Sequence, residues 1–571
     1  MEKWIVIAEH ADFMDIARQF SIDPVLARLI RNRDIVASEE IKKYLYGGLL
    51  DLYPPEQLKG IRKAGKILLQ KIRERKLIRV IGDYDIDGVM SAYILQTGLK
   101  RLGAICNVRM PERIKDGYGL NENLVRQAFD DSIDTIVTCD NGIIASAPIS
   151  LARELGMSTV VTDHHEVSYS EQEDGTREYI LPPADAVINP KQPGCSYPFK
   201  EICGAAIAWK LICYLYNQVG IEEKEQENFL EFVCLATVGD VMDLQDENRI
   251  LVKEGLKRLR RTKNLGIQAL IKQNGLEPLQ IDVHHIGFVL GPCLNASGRL
   301  DTAKRTLDLL TAESREESER LARDLKAMNE KRKGMTEQGV EEAVSLVEST
   351  SLIDDKVLVI YLPNCHESLA GIIAGRLKEY YHRPSFVLTG KEEGTKGSGR
   401  SIEVYSMYEE LCKCREYLIR FGGHPMAAGI CMEKKNIPLF RERINQLCEL
   451  TEEDIIPQIT IDAPMSIRYV NRKLLEQIAL LKPFGKGNPR PLFIEKKMKV
   501  LNQRIFGKNR NVVKMQVMNE NGYAMNGIYF GNARKFSHYV AIHSQLSLVY
   551  YPSINSHMGH ETLQIIITNY R

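Results

Sequence analysis

Long apolar runs are missing from this chain of 571 residues, and so are paired cysteines. No stretch approaches the roughly 20 apolar residues that a membrane-crossing helix requires, which excludes a helical membrane bundle. None of the 12 Cys stands in a CxxC spacing, so neither a zinc ribbon nor a disulfide framework is expected. Cys412 and Cys414 are poorly spaced for chelation by a shared turn, and buried thiols are the expected state. An excess of either charge is also lacking: 76 basic and 75 acidic residues leave +1, so any nucleic-acid surface must be local. The opening MEKWIVIAEHADFMD has no basic n-region and no small-residue cleavage site, and the expectation is a cytoplasmic location without a membrane partner.

What is present is an ordinary globular composition, 44% hydrophobic and 26% charged. At about 150 residues per domain the length suggests three or four domains. Residues 1–75 read as short helices, expected to pack on the catalytic domain. LIRVI, IDTIVT, STVVT and DAVIN are short β-branched runs alternating with helical periodicities, the pattern of a parallel sheet with helices on both faces, here over 76–312. Residues 313–352, dense in Glu, Lys and Arg with two Gly and no Pro, predict a long connecting helix. A second α/β unit is expected over 353–454. From 455 to 571, short alternating runs such as VVKMQVM and TLQIIITNY predict a small β-barrel of the OB type.

The polar clusters fall where such a sheet binds ligands, just after its strands. Asp83, Asp85 and Asp87 alternate at spacing two, so their carboxylates can converge, and Gly88 permits a sharp turn into the next helix. Such repulsion calls for a cation, and hard oxygen donors suit Mg²⁺ or Mn²⁺. An EF-hand is excluded because the twelfth residue from Asp83 is Ile94, where Glu is required. Asp140 in CDNG and the triplet Asp163-His164-His165 repeat the design at the next two strand ends, and imidazole favours Mn²⁺ or another transition metal. Asp240 ends an apolar helical stretch, where an unpaired carboxylate would be costly unless it met a cation.

These blocks resemble the DHH phosphoesterase family, named for the triplet at 163–165. RNRDIVASEEIKKYL, DYDIDGVMSA, PERIKDGYGL, TCDNG, TDHHE, YPFKEICGAAIAWK, ATVGDVMDL, GPCLNASGRL, GSGRS, FGGHPMAAG and PFGKGNPRPLF stand in the order found in the family's branch of single-stranded-DNA exonucleases. The resemblance implies a DHH-type parallel-sheet domain and a DHH-associated α/β domain joined by a long helix, plus the OB-like barrel. It implies that Asp83, Asp85 and Asp140 hold one divalent cation, Mn²⁺ or Mg²⁺, and that Asp87, Asp140, His164 and Asp240 hold a second. Asp140 would bridge, and His165 would hydrogen-bond or protonate near the scissile phosphate. Substrate contacts are implied for Asn295, Arg299, His366, Ser398, Arg400, Gly422, Gly423, His424 and Arg113, with Tyr118 beside them.

The expected activity is metal-dependent hydrolysis of single-stranded DNA 5′ to 3′ to 5′-mononucleotides in recombination and repair. Single-strand-binding protein and a RecQ-type helicase are the implied partners. Two other readings compete: a phosphodiesterase for short RNA or dinucleotides, and a non-catalytic replication scaffold. The chain departs from the family at Cys293, usually Arg, and in the residues around His366 and Arg376.

Overall fold

The computed structural model describes residues 2–113, 116–171, 176–390, 394–507, 509–557 and 560–571. It forms two compact units, one of residues 55–240 and 258–457, the other of residues 2–54, 241–257 and 458–571.

In the first unit the strands Leu77–Ile81, Thr135–Cys139 and Ser158–Thr162 are buried almost throughout, which is why they read as unbroken β-branched runs. With Ile105–Arg109 and Ala186–Ile188 they make an all-parallel sheet. In space Ile105–Arg109 lies outermost, then Leu77–Ile81, Thr135–Cys139, Ser158–Thr162 and Ala186–Ile188. The winding therefore reverses between Leu77–Ile81 and Thr135–Cys139, the switch point at whose carboxyl end open α/β sheets bind ligands. The helix Ile86–Arg101 leaves this point and packs on Gly204–Val219, itself buried from Gly204 to Tyr216.

A 35-residue helix, Arg315–Ser349, is capped by Ser314, whose side chain accepts from Glu317 N. Its first half packs on Leu265–Gln273 and Gly291–Leu300. Further along, Ala343 and Val347 enter a core with Leu358, Ile360 and Ile373. That core covers a five-stranded sheet ordered Arg420–His424, Ala427–Met432, Thr395–Arg400, Ser385–Thr389, Leu358–Tyr361, in which only the last two strands run parallel.

In the second unit, Phe493–Phe506 pairs with both Val512–Met518 and Leu546–His557, closing the sheet through Ala524–Phe530 and His560–Tyr570 into a barrel. Residues 1–75 do not form one helical segment on the catalytic domain. Lys3–Val6 is a strand that pairs in parallel with Gln458–Ile461. Leu26, Leu29 and Ile30 share a core with Ile467, Leu474 and Met515, while the helix Ile61–Arg73 packs on the helix Gly204–Val219 of the first unit. The reason is apolar area: the helices Phe13–Phe20 and Pro24–Arg31 bury their stripes against the barrel's flank.

Candidate functional site

The loop after Leu77–Ile81 curls back on itself. Asp85 caps the helix Ile86–Arg101, its Oδ1 accepting from Asp87 N at 3.0 Å and Gly88 N at 3.1 Å. A Cβ at Gly88 would lie 2.4 Å from Asp83 O and 2.5 Å from Asp83 N, so only glycine permits this curl. Asp87, fully buried, accepts from Gly204 N at 2.6 Å and Ala205 N at 2.8 Å, at the N-terminus of Gly204–Val219 where backbone donors favour an anion. Asp140 follows Thr135–Cys139 with φ 60°, a left-handed conformation that Asp tolerates. A Cβ at Gly204 would approach Asp140 Cβ to 2.8 Å, so the glycine admits the carboxylate.

Around this curl, Asp83, Asp85 and Asp140 bring one oxygen each within 4.8 Å of one another, and Asp87, His164 and Asp240 do the same with oxygen and nitrogen. His164 Nε2 links the two groups, 3.1 Å from Asp140 Oδ1, 3.6 Å from Asp87 Oδ2 and 3.8 Å from Asp240 Oδ2. Burial and the Asp85 charge hold Asp83 well above the usual carboxylate range. Burial and the charges of Asp87 and Asp85 do the same to Asp140, and burial raises Asp87. Burial also lowers His164, so its ring stays neutral. Asp83 Oδ1 and Asp140 Oδ1 are buried and accept no hydrogen bond. Orphaned carboxylate oxygens beside a neutral imidazole fit a divalent cation, which relieves both the repulsion and the lost solvation.

The first residue of the triplet plays another part. Asp163 Oδ1 lies 2.8 Å from His165 Nδ1 and accepts from His164 N at 2.8 Å and His165 N at 3.1 Å, while Oδ2 accepts from Ile143 N at 2.9 Å. Burial opposes its charge, but these bonds win and hold its pKa low. Burial likewise opposes the charge of His165, yet Asp163 and the nearby carboxylates push it up to about 9. Tyr118 donates to Asp140 O at 3.2 Å and sits 3.2 and 3.3 Å from the two ring nitrogens of His165. Asn141 ties the strand ends together, donating to Ile81 O and Cys139 O and accepting from Leu120 N.

The residues expected to touch substrate separate into groups. Arg113, Ser398 and Gly422 line one cavity of about 340 Å³, with Lys396, Arg420 and Cys431. The guanidinium of Arg113 also stacks 4.9 Å over the Tyr84 ring. Asn295 Oδ1 accepts from Ile86 N at 2.7 Å and braces the acidic loop. Arg299 donates to Ser368 O at 3.0 Å; burial and the cations Arg113 and Arg332 bring its pKa down to about 10. Arg400 donates to its neighbour Gly399 O, and burial and Arg113 lower it too. His366 caps a turn, its Nδ1 2.8 Å from Ser368 Oγ. Gly423 and His424 are exposed on the strand Arg420–His424, outside the cavity lining. Sequence reasoning passed over Lys396 and Arg420, although Lys396 stands two residues before Ser398 and therefore on the same face of its strand.

Sheet, switch point and donor cluster together define a phosphoesterase of the DHH class. The DHH family N-terminal domain matches residues 77–237, the DHHA1 domain 354–450 and the RecJ OB domain 461–569. The single-stranded-DNA-specific exonuclease RecJ of Bacillus subtilis is 34% identical over 97% of this chain and 68% of its own length. The Escherichia coli protein of the same name is 33% identical over 96% of each. The crystal structure of Thermus thermophilus RecJ with Mn²⁺ superposes with a TM-score of 0.84 at 25% identity, covering 100% of this chain and 79% of that one. The chain belongs to the RecJ family.

Proposed function

We propose that this chain is a divalent-cation-dependent exonuclease that hydrolyses single-stranded DNA 5′ to 3′ to 5′-mononucleotides, in recombination and repair and in the cytoplasm. The observation that supports it most is the convergence of Asp83, Asp85, Asp87, Asp140, His164 and Asp240 at the switch point of a RecJ-family sheet. Asp83, Asp85 and Asp140 would hold one Mn²⁺ or Mg²⁺, and Asp87, Asp140, His164 and Asp240 the other. Bound there, the pair supplies Lewis acidity toward water and toward the oxygens on phosphorus.

The side chains do the rest. Asp163 holds the His165 ring by one nitrogen and keeps it charged, so His165 can donate a proton or hydrogen bond to the scissile phosphate. Arg299 commits one Nη to Ser368 O and keeps its other donors for phosphate oxygens. Backbone N–H groups beside Gly422, with Arg113, Lys396, Ser398 and Arg420, suit the phosphorylated end of a strand. We assign the substrate end to residues 353–454, the chemistry to 76–312 and further strand contact to the barrel over 455–571. We infer single-strand-binding protein and a RecQ-type helicase as partners.

The test compares a long 5′-phosphorylated DNA strand with a dinucleotide, in Mn²⁺ and in EDTA. Mononucleotides released from the 5′ end, only with the cation, are the expected result. Faster turnover of the dinucleotide would replace this reading with that of a small-substrate phosphodiesterase, and inactivity on both would favour the scaffold.

A further inference from the structure

The cavity beside Ser398 is built in rows. Across three neighbouring strands Lys396 stands opposite Cys431 and Cys431 opposite Arg420; the next row on that face is Ser398, Gly429 and Gly422. All six residues line the cavity. The row beyond, Arg400, Ala427 and His424, does not, and a Cβ at Gly371 would lie 2.9 Å from Arg400 Nη2, so the helix Ala370–Tyr381 closes that side.

The middle row is nearly bare. Gly422 and Gly429 stand within strands, where glycine weakens a sheet, neither has a left-handed backbone, and a Cβ on either would meet nothing within 4 Å. Packing does not require these glycines, but a ligand resting on the backbone does. A terminal phosphate set on Ser398 and Gly422 has the row of Lys396 as its open neighbour, about 7 Å further along the strands. Any further phosphoryl group has to extend there.

That row holds the one carboxylate among the described lining residues. Glu367 Oε2 accepts from Lys396 Nζ at 3.0 Å, while Arg420 Nε donates to Cys431 Sγ at 3.3 Å. The Lys396 and Glu367 side chains are 51% and 30% exposed, and an ion pair so open to water adds little stability. Its effect is on charge: Arg113, Lys396 and Arg420 against Glu367 leave the cavity two positive charges. A phosphomonoester carries about −2 at neutral pH and is matched. A triphosphate brings more charge and presses it toward Glu367.

We propose that Glu367 is a specificity-determining residue for the 5′ end, admitting a strand that ends in a monophosphate and turning away one that ends in a triphosphate. The proposal rests on the exonuclease reading above. Hydrolysis is the same for both ends. Water adds to the phosphorus of the second nucleotide and the 3′-oxygen of the first leaves with a proton. The first nucleotide released therefore keeps the phosphates it arrived with.

The test uses the full chain with Mn²⁺ and one DNA sequence bearing either a 5′-monophosphate or a 5′-triphosphate, and follows release of the first nucleotide. The measured quantity is the ratio of kcat/KM for the triphosphate to that for the monophosphate. Taken within each variant and compared with wild type, it cancels both damage to the fold and Mn²⁺ held by the triphosphate itself. Wild type is expected to favour the monophosphate about tenfold, and Glu367→Gln to raise the ratio about tenfold, the effect of removing one nearby charge. Glu367→Asp should keep the wild-type ratio, and Lys396→Gln, which leaves Glu367 uncompensated, should lower it further. Equal use of both ends by wild type would overturn the proposal. So would an unmoved ratio in Glu367→Gln, which would reduce Glu367 to a support for Lys396. Wild-type inactivity on the monophosphate strand would instead count against the exonuclease reading.

Discussion

Two buried acids illustrate how environment decides role. Asp163 spends both oxygens on N–H groups, so its work is to hold His165. Asp163→Asn removes the charge that keeps His165 protonated, and activity with Mn²⁺ should fall by roughly 10- to 100-fold, the usual cost of losing an orienting partner. Activity within twofold of wild type would show that His165 needs no such support. Glu231 is buried in the first turn of the helix Leu230–Gly239, accepting from Thr262 Oγ1 at 2.9 Å with Oε2 unpaired. Burial pushes its pKa from the usual 4.5 up to about 7. Because the folded state prefers the protonated form, the stability it contributes is complete below pH 4.5 and is lost as pH rises through 7. The loss amounts to about 3 kcal/mol. Glu231→Gln should therefore flatten the decline in Tm between pH 5 and 8, and equal declines in the two proteins would refute the assignment.

At the level of elements, one strand–loop–helix unit carries three of the six donors of the cluster. The curl from Asp83 to Gly88 was legible because three acids at spacing two, followed by glycine, sit between a β-branched run and a helical periodicity. Gly88→Ala forces a Cβ against the Asp83 backbone. It should cost about 1–3 kcal/mol of stability, as overpacking does, and spread Asp83 from Asp85. A thermal melt and a Mn²⁺ titration check this, and unchanged cation affinity would show that the loop tolerates the methyl. Less legible was the strand Lys3–Val6, whose four residues pair with a strand more than 450 positions away. No local pattern encodes a partner at that separation.

For the whole molecule, the second unit is assembled from residues 2–54, 241–257 and 458–571. Its seams are polar as well as apolar: Arg249 donates to the carbonyls of Tyr44, Leu480 and Leu481, and Arg33 to Asn488 and Asp462. A chain cut after residue 457 leaves Leu26, Leu29 and Ile30, all fully buried in the intact unit, without their barrel partners. At about 1.5–3 kcal/mol for each such side chain, residues 2–54 should lose their fold. Poor solubility and a weakened helical signal by circular dichroism are expected. A soluble truncated chain with full helix content would show that the N-terminal helices stand alone.

By itself the sequence determined the parallel sheet, the long helix, the barrel class and the acidic and imidazole donors, because each rests on short-range periodicity or on polar residues at strand ends. Only the tertiary structure decided that Asp163 anchors His165 and that Asn295 braces the acidic loop. It alone also brought Lys396 and Arg420 to the cavity of Ser398. Those outcomes depend on which backbone donors, cations and apolar faces arrive from distant parts of the chain, and no local pattern specifies that arrival.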